Sequence, residues 1–220
     1  MGTRLFLVRH AETVWSAKLR IHGRSDPALS ELGHRQAKAV GDMLAGRPLA
    51  AIYTSPLQRA RQTAAAIAAR HQVQPRADPA FQEVSLGVWE GQRIADLEAD
   101  DREHYARWLA APTGVRPPGG ETLEEARARV ARALASLQER HADETVVLVT
   151  HSIVGRIVIA TCLGIDVRVV PRLKLKVASL SILRLEPSGG VLERLGDVSH
   201  LKTIVTVEKL AAAEGTPRPD

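Results

Sequence analysis

"LFLVRHAET", residues 5–13, runs four apolar residues straight into an arginine and a histidine, with a glutamate two positions on. Leu5 to Val8 shows no polar alternation, so the segment suits a strand buried on both faces, as in a mostly parallel sheet. Comparable short runs occur at Ala51 to Tyr53 and Val146 to Val149, with a longer β-branched run from Val177 to Leu185. Helical patterns lie between them. "SELGHRQAKAVGDMLAG" offers Ser30 as an N-cap and Gly46 as a stop, "PLQRARQTAAAIAARH" follows the second run, and a long helix is expected over about Leu123 to His141. This alternation predicts an α/β fold, doubly wound, with helices on both faces of one sheet.

From about Pro75 to Gly120 the pattern loosens into two short helical stretches, Ile94 to Leu97 and Arg102 to Leu109, punctuated by Pro and Gly. This region is read as a small cap insertion over one end of the sheet rather than a second domain. A length of 220 residues fits one such domain, expected over 1–210, with "AAAEGTPRPD" (211–220) as a mobile tail. Cys162 is the only cysteine, so no intrachain disulfide can form and a reducing compartment is the simpler expectation. No stretch resembles a signal peptide or a membrane span, which makes the expected location cytoplasmic. The net charge is +5, but in "GGETLEEARARVARALASLQERHADE" bases alternate with acids at helical spacing, as on a solvated face. With aromatics at 3%, a nucleic-acid stacking surface is poorly supplied, and neither nucleic acid nor membrane is an expected partner.

Three of the buried runs end in charge. The first delivers Arg9 and His10, the second leads through "TSPLQRA" to Arg59 in the first turn of a helix, and "TVVLVTHS" delivers His151. Ligands of open α/β sheets sit beyond the carboxyl ends of parallel strands, so these residues should converge on one pocket. Two arginines in one pocket repel unless an anion lies between them, and guanidinium groups match phosphate oxygens bidentately. Helix N-termini behind the strands add N–H donors and positive dipole ends. The same arginines disfavour protonation of His10, leaving it neutral and able to attack phosphorus.

"LVRHAET", "GRSDPALSELGHRQA", "IYTSPLQRARQTA", "EVSLGVWEG", "PGGET" and "LVTHS" together resemble the histidine phosphatase superfamily (phosphoglycerate mutase-like, branch 1), and look closest to its broad-specificity phosphatases. The likeness runs from about Leu5 to Leu201. It implies a three-layer αβα fold with a mixed, mostly parallel sheet. It implies a phosphatase acting on small-molecule phosphomonoesters through a phosphohistidine at His10, with Arg9 and Arg59 holding the phosphoryl oxygens and His151 stabilising the transition state. Glu83 corresponds to the acid that protonates the leaving oxygen and then activates water. The substrate-contacting set it implies is Arg9, Ser16, His22, Gly23, Arg59 and Ser152. No metal and no cofactor are required by this chemistry, and the expected partner is a small phosphorylated metabolite, with a homodimer left open.

The chain departs from the common pattern in places. Ala11 stands where relatives usually have Gly, Trp15-Ser16 replaces Trp-Asn, His22 occupies a position often Gln, and Ser152 follows His151 in place of Gly. Taken singly, Arg9 reads as a surface ion pair and each histidine as a helix cap; jointly and in this order those readings lose ground. Trp15 and Trp89 read as packing residues. His34, His71, His104 and His141 read as solvated, Arg20 and Arg24 as flanking the phosphate loop, and His200 as a residue packing the end of the last strand.

Two other functions compete. A 2,3-bisphosphoglycerate-dependent phosphoglycerate mutase would use the same phosphohistidine, but such enzymes carry a longer insertion between acid and second histidine than the 68 positions from Glu83 to His151. A non-catalytic phospho-ligand binder on this fold is the alternative from another class. A metallohydrolase using His10, Glu12 and His151 matches no familiar metal spacing.

Overall fold

The computed structural model describes residues 2–110, 112–186 and 189–204; the tail expected from residue 211 lies outside them. One six-stranded sheet carries the strands in the order β3-β2-β4-β1-β5-β6. β1 (Thr3–Arg9), β2 (Ala51–Thr54), β3 (Pro75–Ala77) and β4 (Thr145–Thr150) run parallel, while β5 (Leu180–Leu185) and β6 (Val191–Asp197) add an antiparallel edge. The helices are α1 (Glu31–Leu44), α2 (Gln58–Ala68), α3 (Ile94–Asp100), α4 (Arg102–Ala110), α5 (Leu123–Arg140) and α6 (Ser152–Cys162).

The unbroken apolar strands split their side chains between two cores, as a period of two requires. Leu5, Leu7, Tyr53, Val146, Leu148 and Leu183 face α5, α6 and the cap. Phe6, Val8, Ile52, Val147, Val149 and Ile182 face α1 and α2. Local chemistry fixes the helix starts. Ser30 Oγ accepts the Gly33 N–H (3.0 Å) at the head of α1, and Thr122 with Glu125 forms a reciprocal capping box on α5. Asp26 Oδ1 accepts the Gln58 N–H (2.7 Å), so a side chain from another loop heads α2.

Two boundaries differ from expectation. Pro75–Ala77 belongs to the sheet, pairing with Ile52–Thr54, so the cap begins after Ala77; a three-residue edge strand opening on Pro carries too little pattern to be recognised. The run expected from Val177 starts its strand only at Leu180, because Ala178 adopts φ +53° and turns the chain. The cap is stitched at its base: Val88 donates to Pro118 O (3.0 Å) and Glu121 to Ser85 O (2.8 Å). That crossing explains "PGGET", since a Cβ on Gly120 would stand 2.5 Å from Ser85 O. Trp89, Leu97 and Tyr105 of the cap join the same core as Leu5 and Leu148. Among the described residues no helix is long and apolar enough to cross a membrane.

Candidate active site

Adjacent parallel strands bring the charged exits together. β1 pairs with β4 through Arg9 opposite Thr150, and the His10 N–H donates to Thr150 O (2.8 Å), so His10 and His151 leave the sheet side by side. On the other flank of β4, Ser55 N–H donates to Val149 O (3.0 Å), and α2, starting three residues later, places Arg59 beneath the same opening. The His10 and His151 ring centroids are 5.2 Å apart. His10, Arg59, Glu83 and His151 are all buried, at 4%, 0%, 6% and 0% exposure.

His10 Nδ1 lies 2.7 Å from the carbonyl oxygen of Ala11. A carbonyl can only accept, so Nδ1 carries the proton and the lone pair sits on Nε2. Burial, then the charges of Arg59 and Arg9, push the His10 pKa well below 6.5 and keep the ring neutral. His151 is held low in the same way, by burial first and Arg59 second, and its Nε2 lies 2.7 Å from Ser55 Oγ.

Both arginines are anchored chiefly by backbone carbonyls, with Asp26 Oδ1 at 4.0 Å from Arg59 Nη1. Arg59 donates from Nη1 to Ser25 O (2.7 Å) and from Nη2 to Gly23 O (2.8 Å); Arg9 donates from Nη1 to Leu175 O. Burial lowers both to about 10, with Glu83 raising each. Arg9 Nε, Arg59 Nε and His151 Nδ1 are buried without a hydrogen-bond partner. Orphaned buried donors are costly and rare. All three belong to residues at the converging strand exits, where such groups could cradle an anion.

Glu83 sits at the start of α6. Its Oε2 accepts the Ile153 N–H (3.1 Å), and its Oε1 accepts those of Val154 (3.1 Å) and Val84 (3.0 Å), a carboxylate at a helix N-terminus as the dipole favours. Its own carbonyl is gripped by Arg24 Nε (3.3 Å) and Arg129 Nη2 (3.4 Å), and both arginines also pair with Glu121. Arg24 is therefore a strut of the loop, and Arg20 is tied to Gly91 O (2.7 Å).

The remaining candidates are placed less directly. Ser16 Oγ accepts the Thr13 N–H (2.8 Å) and donates to Thr13 O (3.1 Å), so it closes its own turn. His22 reaches the pocket wall, 6.1 Å from His10 between ring centroids, but Nε2 is 2.5 Å from Thr13 Oγ1; burial, then Arg59 and Arg9, lower its pKa to about 4. Gly23 has φ +52°, and a Cβ there would lie 2.3 Å from the Glu90 carboxylate. Ser152 opens α6, and its carbonyl accepts Arg156 Nε (2.9 Å).

Sequence reasoning overlooked Glu90 and Arg156. Glu90 accepts N–H groups from Arg24, Ser25 and Leu86 and so moulds the loop that Arg59 holds from below; its one signal was an acid just before Gly91 in "GVWEG". Arg156 lies one turn along α6 from Ser152, visible as the end of "THSIVGR". Of the histidines expected in solvent, His141 is not there, and His104 is half-buried. His141 is buried between Glu144 Oε2 (2.7 Å) and Tyr53 OH (2.9 Å), and His104 stacks edge-on to Trp89, with centroids 5.1 Å apart. Among the described residues no group of three or more His, Cys, Asp or Glu is arranged to hold a metal.

Comparison with known proteins agrees with this geometry. Residues 5–198 match the histidine phosphatase superfamily (branch 1). Phosphoserine phosphatase 1 of Hydrogenobacter thermophilus is 33% identical over 198 residues, covering 90% of this chain and 94% of that protein. A Yersinia enterocolitica protein named "Probable phosphoglycerate mutase GpmB" is 34% identical over 203 residues, with the same coverage. Among solved structures, Bacillus stearothermophilus YhfR superposes with a TM-score of 0.86 at 30% identity, covering 91% of this chain and all of that one. The mycobacterial glucosyl-3-phosphoglycerate phosphatase gives 0.80 at 29%, covering 89% and 99%. With a pocket of this composition at the carboxyl ends of its parallel strands and a family match spanning nearly its whole length, the chain belongs to branch 1 of the histidine phosphatase superfamily.

Proposed function

We propose that this protein is a metal-independent phosphomonoesterase that hydrolyses small phosphorylated metabolites through a phosphohistidine at His10. The observation that carries the reading is the neutral His10 ring, its lone pair on Nε2, enclosed with unpartnered guanidinium N–H groups of Arg9 and Arg59. Phosphoryl transfer asks of a protein chiefly positioning and charge stabilisation, and this pocket offers both.

In the first step Nε2 of His10 forms a bond to phosphorus while the ester P–O bond breaks. The departing oxygen takes the electron pair and receives a proton from Glu83. Arg9, Arg59 and His151 donate to the equatorial oxygens as charge spreads over them. In the second step water attacks phosphorus, its proton passes to the Glu83 carboxylate, the N–P bond breaks, and the pair returns to Nε2. Glu83 suits this role because Oε2 accepts only one backbone N–H and keeps a position for the transferred proton. His22, Gly23 and Ser16 shape the loop beside the phosphate, and Ser152 lies at the mouth of α6 on the leaving-group side.

The phosphatase names among the relatives support hydrolysis, and so does the short cap. The mutase reading keeps one specific support, the likeness to the Yersinia protein. Incubation with p-nitrophenyl phosphate and with 3-phosphoglycerate tests both: phosphate release without isomerisation is expected, and isomerisation without net hydrolysis would overturn it. An acid-labile, alkali-stable label on His10 is expected in rapid quench, and its absence across a panel of phosphoesters would favour a binding protein. A cytoplasmic setting is part of the proposal, and the free, buried thiol of Cys162 is in keeping with it.

A further inference from the structure

Among the described residues, Arg156 is the one charged side chain lining a second cavity, of about 140 Å³, whose other described walls are apolar, including Trp108, Leu109 and Pro112 of the cap and Val170 opposite. Its guanidinium is partly buried and is held in place by carbonyls, with Nε donating to Ser152 O (2.9 Å) and Nη1 to Val170 O (3.0 Å). Nη2 has only a long contact, 3.5 Å, to Ser152 Oγ. Three of five N–H groups are thus spoken for at most. Among the described residues no carboxylate lies within ion-pair distance of it; burial lowers its pKa and the charge of Glu83 opposes that shift. Ile153 also lines this cavity, and its N–H donates to Glu83, so one wall of the cavity adjoins the proposed acid.

We propose that Arg156 is a specificity residue that binds a carboxylate on the alcohol half of the substrate, which makes the preferred substrate class phosphomonoesters of small hydroxy acids. The inference rests on the phosphatase reading and refines it. A single carboxylate matches the charge of one guanidinium and can take the two N–H groups left on its Nη edge in a bidentate pair. The short carbon chain between carboxylate and ester oxygen lies along the apolar wall. A second phosphate group would bring more charge than this cavity has donors to meet.

The test compares 3-phosphoglycerate with glycerol 3-phosphate, which keeps the carbon skeleton and replaces the carboxylate by a hydroxymethyl group. The wild-type protein is expected to favour 3-phosphoglycerate by about 10- to 100-fold in kcat/KM, the range of a charge-assisted hydrogen bond, mostly through KM. Arg156→Leu is expected to erase that ratio and Arg156→Lys to retain part of it. A wild-type ratio near one overturns the inference without any variant, so a misfolded leucine variant cannot shield it. A ratio that survives in a folded Arg156→Leu protein overturns it as well. Failure of the wild type to release phosphate even from p-nitrophenyl phosphate would instead sink the phosphatase reading, and the inference with it.

Discussion

The strand exits and the cap solve opposite problems. At the exits most of the proposed reacting groups are positioned by main chain, His10 by Thr150 O and Ala11 O, Arg59 by Gly23 O and Ser25 O, Glu83 by three N–H groups, while His151 leans on the Ser55 hydroxyl. In the cap, beyond the backbone bonds at its base, packing comes from side chains, with Trp89 set edge-on against His104, Tyr105 and Trp108. Backbone geometry is indifferent to most substitutions, whereas an aromatic cluster can be recut residue by residue. The chemistry is thereby separated from the choice of substrate, and each can vary without the other.

The sharpest way to break that contrast is His10→Ala, which removes the covalent route; hydrolysis of p-nitrophenyl phosphate is expected to fall to background and the acid-labile label to vanish. A variant with a tenth of normal turnover would show that His10 is not the nucleophile. Glu83→Gln comes next, at about 10²- to 10⁴-fold in kcat/KM for an alkyl phosphate, with a smaller loss for p-nitrophenyl phosphate, whose leaving group needs little protonation. The amide also meets three N–H donors with one acceptor, costing about 1–3 kcal/mol of stability. Only the dependence on leaving group separates chemistry from this structural loss, and equal losses with both esters would remove the acid role.

On the cap side, Trp89→Ala is expected to cost about 3–5 kcal/mol in urea unfolding, because the side chain is 1% exposed and shares its core with Leu5 and Leu148. A loss under about 1 kcal/mol would mean that the cap packs independently of the sheet. The smallest effect is with pH. His10, His22 and His151 have folded pKa values below 6.5, about 4 for His22, so acid charges them first in the unfolded chain. Their contribution to stability is intact above about pH 6.5 and is lost as pH falls toward the folded values, by about 1–2 kcal/mol in total between pH 7 and 6. Unfolding at those two pH values checks it, and equal stability at both would show that the rings are not held neutral.

The same contrast governs what could be read from the sequence. The strands carrying Arg9, His10, Arg59 and His151 were legible because burial on both faces leaves uninterrupted apolar runs, and parallel pairing forces their ends to one side. β3 and β6 were hard to place because edges need no such run: "VLERLGD" is largely exposed, and Pro75 opens a strand of three residues. Ser16 and His22 carried the right polarity, but whether a hydroxyl faces a ligand or its own turn depends on rotamers that spacing does not encode. Arg156 was missed because an arginine on a helix looks the same in sequence whether or not an acid neighbours it in space. His141 was misread for the same reason, its partner Tyr53 lying 88 positions away.

The grip of α6 on Glu83 has a mechanical meaning. Because the acid closes the first N–H groups of the helix that His151 begins, swinging it aside would uncap that helix, and so acid and second histidine behave as one rigid tether. Any breathing of the cap must then hinge beyond Val84, so the rim can adjust to the alcohol while the phosphate end stays preassembled.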